Sequence, residues 1–343
     1  MAVTIKDVAL QCGMSISTVS KVFNGYSDIS DETREEVMRV AREIGYHPNA
    51  LARALKTKRS YNLGVLFVDE NTSGLTHPFF AAVLNGFKSE AEAHGYDITF
   101  INHNIGDTAM TYLEHCRYRN VDGVCLACVN FYADEVAELM QGDIPCVTID
   151  HEHPGIPCVN SDNAGGIRTL VRHAAAAGHE RIAYVHGQRN SDVTTLRTSV
   201  FEETMRALEL PLDDRSMIEA RYGDNEAVYQ CVLKLLKQEN PPTCILLPDD
   251  ASYLGAHDAV IYKGVRVPED VSFMGFDGIQ MTQTVHPRLT TVKQHSDQMG
   301  RTAALKLIER IERPDSASAG PALVPVTYIE GETLREYKNP ILL

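Results

Sequence analysis

No stretch of this 343-residue chain approaches the roughly 18 consecutive apolar residues that a membrane span requires. The opening residues, MAVTIKDVALQ, also lack the apolar core of a secretory signal, because a lysine and an aspartate interrupt them. The expected compartment is the cytoplasm, with no membrane partner. Paired cysteines are nearly missing. The eight cysteines (Cys12, Cys116, Cys125, Cys128, Cys146, Cys158, Cys231 and Cys244) are scattered, so reduced thiols are expected instead of a disulfide framework. Cys125 and Cys128 form one C-x-x-C, but no second pair follows at zinc-ligand spacing. Their run, Val124 to Val129, is apolar, and both are expected as small hydrophobes in a buried strand. His151-Glu152-His153 alternates like a metal cluster, yet the neighbouring Pro154 and Gly155 suit a solvated loop better. The 13 histidines include no H-E-x-x-H, and no G-x-x-x-x-G-K-[ST] phosphate loop is present. No metal, cofactor or enzymatic activity is expected.

Basic residues are in short supply too. Lysine and arginine number 32 against 46 acids, a net charge of −14. Averaged over the chain, that excess argues against nucleic acid, whose phosphates need clustered cations. The average conceals two segments. Residues 1–60 hold nine cations against seven acids, so they carry +2, and the remainder carries −16. Within 48–60, PNALARALKTKRS supplies Arg53, Lys56, Lys58 and Arg59 with no acid at all.

What is present begins with helical spacing. Ile5, Val8, Ala9 and Cys12 mark one helix with Thr4 as its N-cap and Gly13 at its end. Ser15 caps a second, Ile16 to Phe23, with Val19 and Val22 inward. Two short helices joined by a tight glycine turn make a helix-turn-helix. Ser30 caps a third, with Val37, Val40, Ala41 and Ile44 inward, ending at Gly45. The outward face of the second helix carries Ile16, Ser17, Thr18, Ser20 and Lys21. Short hydroxyls and a cation there suit phosphate contact and base reading in the major groove. The segment from Pro48 could form only about two helical turns, too short to be stable alone. Its Leu55 is a candidate minor-groove wedge.

These segments, VTIKDVALQCGMSISTVSKVFNG and SDETREEVMRVAREIGYHPNALARALKTKRSYNLGV, resemble the N-terminus of the lactose-repressor/galactose-repressor (LacI/GalR) family of bacterial regulators. The resemblance implies that Ile16 and Ser17 read bases, Lys21 adds a third specificity position, and Thr18 and Ser20 place the backbone. It implies a hinge helix, Asn49 to Lys56 with Arg53 and Leu55, that folds only on DNA and pries open the centre of a palindromic operator.

Beyond Asn62 the chain alternates short β-rich runs with helices: LGVLFV, then a helix from Phe79 to His94; DITFIN, then a helix through Arg119; GVCLACV; PCVTID; RIAYVHG; CILLPDD; VSFMGFD. That alternation implies βαβ units and parallel sheets, in two lobes because about 280 residues exceed one core. A helix from Ser296 to Arg310 and a terminal strand LVPVTYIE complete the series. Ligands bind such sheets beyond the carboxyl ends of the strands. Asp150, Asp249, Asp250 and Asp277 end strands, and Arg197 leads into a helix. Such groups hydrogen-bond neutral polyols well, although Asp249 and Asp250 could equally cap the following helix.

The runs SDNAGG, RHAAAAGHERIAYVHG, GVRVPEDVSFMGFDG and PRLTTVKQ resemble the effector domain of the same family, whose fold is that of periplasmic sugar-binding proteins. The resemblance implies effector anchors at Arg197 and Asp277, further pocket positions at Asp150, Asp249 and Gln294, and an aromatic wall at Phe79 and Phe80. Ser191 and Val193 stand where the purine-responsive branch has arginine and threonine, so a sugar is favoured over a purine. The implied architecture is an all-α helix-turn-helix headpiece plus hinge helix, then a two-lobed α/β effector domain with parallel sheets. Its expected boundaries are 1–47 for the headpiece, 48–60 for the hinge and 61–343 for effector binding and dimerisation. The first lobe would take about 62–160 plus 293–322, the second about 161–292 plus 323–343. After Tyr337 only KNPILL follows, without a leucine heptad, so a homodimer is expected. The implied function is a repressor, nucleoid-associated on its operator DNA and controlled by a small-molecule effector. The alternative is a cytosolic or transport-linked sugar-binding protein without a DNA role.

Overall fold

The computed structural model describes residues 3–47, 59–68, 74–189, 191–315, 318 and 320–336. The expected hinge contacts Asn49, Arg53, Leu55 and Lys56 lie outside the described residues, as does the KNPILL segment.

Three helices form the N-terminal unit: α1 (Ile5–Cys12), α2 (Ile16–Phe23) and α3 (Asp31–Glu43). Each begins where a short polar side chain offers an alternative to the helical ladder. Thr4 donates its backbone N–H and its hydroxyl to Asp7, both at 2.8 Å. Ser15 accepts the Thr18 backbone N–H at 3.0 Å, and Ser30 accepts that of Thr33 at 3.3 Å. Gly13 turns the chain between α1 and α2 at φ 63°, a conformation that costs other residues about 1 kcal/mol or more. Val8, Ala9, Val19, Val22, Val37, Val40 and Ala41 make one buried cluster, ringed by Ile5, Phe23, Ile44 and Tyr46. Burying each valine stabilises the unit by roughly 1.5–3 kcal/mol. Arg34 of α3 donates to the carbonyls of Val22 and Tyr26, tying α3 to the end of α2 and the turn after it.

The body contains two six-stranded sheets. Its elements run β1 (Asn62–Phe67), α4 (Pro78–Ala93), β2 (Asp97–Phe100), a small antiparallel hairpin of β3 (Asn104–Ile105) and β4 (Thr108–Ala109), α5 (Tyr112–Tyr118), β5 (Gly123–Ala127), α6 (Asp134–Gln141), β6 (Cys146–Ile149) and β7 (Cys158–Ser161). They continue with α7 (Asn163–Ala176), β8 (Ile182–His186), α8 (Asp192–Ala207), β9 (Met217–Glu219), α9 (Asn225–Leu236), β10 (Cys244–Leu246), α10 (Tyr253–Lys263), β11 (Ser272–Asp277), β12 (Thr290–Gln294), α11 (Ser296–Glu312), β13 (Ala322–Val324) and β14 (Val326–Ile329). The first sheet has the order β13-β7-β6-β5-β1-β2, the second β14-β12-β11-β10-β8-β9. The ladders from β5 to β6 and β1 and from β10 to β11 and β8 are parallel, while β14 pairs antiparallel with β12. In each sheet the order reverses beside its first strand, β1 or β8, and that reversal opens a crevice at the strands' carboxyl ends.

Three differences from the sequence reading are physical. The hairpin β3–β4 occupies residues expected to lead directly into a helix, so α5 starts only at Tyr112, where Thr111 caps it. LVPVTYIE is not one strand. Pro325 has no N–H to donate to a ladder, and it separates β13 in the first sheet from β14 in the second. The lobe crossings accordingly fall at 295 and 325, so Lys293 and Gln294 belong to the second sheet and Leu323 and Val324 to the first. The crossings lie side by side: the Asp162 N–H donates to the Val324 carbonyl at 2.9 Å, and His295 Nε2 pairs with Thr327 Oγ1 at 2.9 Å.

Candidate functional site

Both crevices open into one cavity of about 250 Å³. Phe79, Phe80, Asp150, Arg197, Asp249, Asp277 and Gln294 all line it, although they come from six different places in the chain. The strand ends explain the convergence. Asp150 follows β6, Asp277 ends β11, Gln294 ends β12, and Asp249 lies three residues past β10. Phe79 and Phe80 open α4, while Arg197 sits one and a half turns into α8.

Arg197 is the centre of the polar side. It is buried, its guanidinium carbon stands 3.7 Å from the centroid of the Phe276 ring, and Nε donates to Asn163 Oδ1 at 2.7 Å. A second nitrogen donates to the Pro248 carbonyl at 3.2 Å. Burial opposes its charge, but Tyr222, Tyr184, Asp277 and Asp150 around it outweigh that effect and keep it protonated. Burial pushes the Asp150 carboxyl up to about 6, with Arg197 opposing. Asp277 is raised well above the usual carboxylate range by burial, again against Arg197, while Asp249 and Asp250 push it further. Its Oδ1 accepts from Gln294 Nε2 at 2.6 Å. Asp150 Oδ1 and Gln294 Oε1 are buried acceptors without a hydrogen-bond partner. A buried polar atom left unpaired costs about 1–3 kcal/mol, so both gain from a hydroxyl or amine donor placed in the cavity.

Asp249 works partly as a brace. Its oxygens accept the backbone N–H groups of Gly223 and Ser252, each at 2.8 Å. Asp250 turns away from the cavity into the second lobe. There it accepts from Thr291, Thr282 and the Ile279 backbone, and burial lifts its carboxyl to about 7. It is a structural group, not a ligand contact.

Residues the sequence reading left out also line the cavity, among them Asn130, Phe131, Tyr132, Gln188 and Tyr222. Tyr222 bonds Thr194 Oγ1 at 2.9 Å and lies so close to Gly187 that a Cβ there would stand 2.2 Å from its ring. The strand-end rule points to these loops, but a search restricted to acids and arginine passes over aromatic side chains. His151 needs a correction. It is not in a solvated loop: it is 8% exposed, lines the cavity, and stacks on Phe131 at 4.1 Å and 10°. Cys128 also departs from the buried-strand expectation. Cys125 lies within β5, whereas Cys128 follows it at φ 55° and faces the cavity. No cluster of metal-binding side chains occurs among the described residues.

In the N-terminal unit, Ile16 and Ser17 are exposed at the start of α2, Ile16 to 46%. Thr18 Oγ1 pairs with Ser15 Oγ at 2.9 Å, and Ser20 accepts from Asn24 at both its carbonyl and its hydroxyl. Lys21 is ion-paired with Asp28. That pair is solvent-exposed and therefore easily exchanged for a phosphate.

Comparison with known sequences decides what these two units are. Residues 4–49 match the profile of bacterial regulatory proteins of the lacI family, and residues 62–332 match that of periplasmic binding proteins and the sugar-binding domain of the LacI family. The chain belongs to the LacI family of bacterial regulators. It is a DNA-binding transcriptional repressor with an effector-binding domain. The HTH-type transcriptional repressor PurR of Haemophilus influenzae is 29% identical over 327 residues, 94% of this chain and 96% of that protein. The ribose operon repressor of the same species is 29% identical over 318 residues, 91% of this chain and 93% of that one. Among solved structures, a Lac repressor dimer bound to operator and the anti-inducer ONPF superposes with a TM-score of 0.82 at 25% identity, covering 98% of this chain and all of that one. A sugar-binding protein without a DNA role is set aside by the headpiece match, and the named relatives of this LacI-family chain are repressors, not enzymes. No described helix is long and apolar enough to cross a membrane.

Proposed function

We propose that this repressor binds a palindromic operator as a homodimer in the cytoplasm, and that a sugar or sugar derivative held between its lobes sets its operator affinity. Residues 1–47 read the DNA, 48–60 form the hinge, and 61–343 bind effector and dimerise. Ile16 and Ser17 read base edges with Lys21, while Thr18 and Ser20 approach the backbone. Asn49, Arg53, Leu55 and Lys56 act at the hinge by family resemblance alone.

The observation that carries the effector reading is the meeting of Arg197, Asp277, Asp150, Asp249 and Gln294 beside Phe79 and Phe80 in one cavity at the carboxyl ends of both sheets. Carboxylate and amide acceptors beside a fixed guanidinium match adjacent hydroxyls on a ring, and the aromatic wall matches its apolar face. Three carboxyl groups around one arginine disfavour a phosphorylated effector. The relatives divide between PurR and a ribose operon repressor, so a nucleobase is the second reading. Here Ser191 caps α8 by accepting the Thr194 N–H, and Val193 presents an apolar side chain to the cavity; neither offers a cation.

The test has two arms. Thermal shift with neutral sugars, sugar phosphates, nucleosides and purine bases identifies the effector class, since a ligand of the native state raises its melting temperature. Operator anisotropy with the full chain then measures the response. A stabilising neutral sugar that changes operator affinity supports the proposal. Stabilisation by purine bases alone refutes the sugar, and no salt-sensitive, sequence-selective binding to any palindromic duplex refutes the reading of α2.

A further inference from the structure

At the rim of the cavity, one carboxylate of the second lobe holds two side chains of the first. Tyr132 Oη donates to Asp192 Oδ1 at 2.8 Å, and His151 Nδ1 meets Asp192 Oδ2 at 2.7 Å. A carboxylate only accepts, so His151 carries its proton on Nδ1. Each partner is braced from behind. Phe131 stacks in parallel on His151, and Asn130 Oδ1 accepts the Tyr132 backbone N–H at 3.1 Å, which sets how the loop after β5 presents the phenol. Asp192 is the first residue of α8, held by the Ser191 cap at the positive end of the helix dipole. The same helix carries Arg197 five residues on. Closure at the rim and contact at the floor therefore act through one rigid element.

We propose that Asp192, Tyr132 and His151 form an interlobe clasp that favours the closed cleft. They are positioning residues: they hold the lobes together over whatever Arg197 binds. A contact made only in the closed state shifts the open–closed equilibrium toward closure, and an effector that binds the closed cleft gains by the same factor. That consequence rests on the effector reading of the cleft, whereas the clasp can be tested without any effector.

The experiment is hydrogen exchange, followed by mass spectrometry, on the full-length effector-free chain. On the first lobe, the Tyr132 and Ala133 amides are bonded to Asn130; on the second, those of Thr194 and Thr195 are bonded to Ser191. Tyr132→Phe keeps the ring and removes the donor, and is expected to speed exchange across the cleft, at residues 191–196, by about three- to tenfold. Asp192→Ala is expected to do the same at 129–133. The double variant should match Asp192→Ala at residues 129–133, because loss of Asp192 already releases both Tyr132 and His151. Loss of an acid from the first turn of α8 would loosen only α8, so the response on the other lobe is decisive. Changes confined to the lobe that carries the substitution, or a double variant that exceeds Asp192→Ala at residues 129–133, would overturn the clasp; failure to find an effector would not.

Discussion

The two lobes do not contribute alike to the cavity they share. The first supplies mostly apolar and aromatic surface: Val68, Phe79, Phe80, Phe131 and Ile149. The second supplies groups that hydrogen-bond: Gln188, Arg197, Tyr222, Asp249, Asp277 and Gln294. Polar contacts are directional and lose much when displaced by an ångström, so they belong on one rigid wall. Apolar surface tolerates sliding and suits the wall that moves. On the proposed effector reading, the second lobe would orient the effector and the first would exclude water.

Substitutions that separate the two roles test that division. Arg197→Met keeps an unbranched apolar side chain but deletes the guanidinium that lies over Phe276. It should weaken effector binding about 100-fold or more, since hydrogen bonds to a charged group contribute about 1.5–3 kcal/mol each; calorimetric titration with the stabilising sugar measures it. Phe80→Ala on the apolar wall should cost nearer tenfold and leave selectivity among epimers unchanged. A larger loss for Phe80 than for Arg197 would reverse the assignment.

Asp150 is one of the first lobe's polar exceptions, beside Asn130 and His151, and pH sharpens what it does. Its carboxyl rises from 3.8 to about 6 through burial. Between those values the native state keeps a proton that the unfolded chain has released, so this group weakens the native state as pH rises through the window. Asp150→Asn removes that loss. Its gain in stability over the parent, without effector, should be larger at pH 7 than at pH 5 by an amount on the order of 1 kcal/mol. An equal or smaller gain at pH 7 would mean that the carboxyl is not held up by burial. Denaturant unfolding at the two pH values measures the difference.

How much was legible in sequence follows the same divide. In the N-terminal unit, the caps Ser15 and Ser30 and the valine spacing gave α2 its observed bounds and α3 its start, because those signals are local. In the second lobe, acids at strand ends led to Asp249 and Asp277. The first lobe's aromatic rim stayed hidden: Phe131 and Tyr132 look like ordinary loop residues, and His151 looked solvated because its burial depends on Phe131, twenty positions away. Pro325 was visible, but its consequence needed two sheets to be seen.

The most direct test of the account measures operator affinity with and without the sugar that raises the melting temperature, in the parent and in Arg197→Met. The account predicts a change of about tenfold or more in the parent. It predicts none in the variant at the same sugar concentration, with effector-free operator affinity equal in both. An Arg197→Met protein that responds at unchanged sugar concentration would contradict the claim that this cavity is where the effector acts.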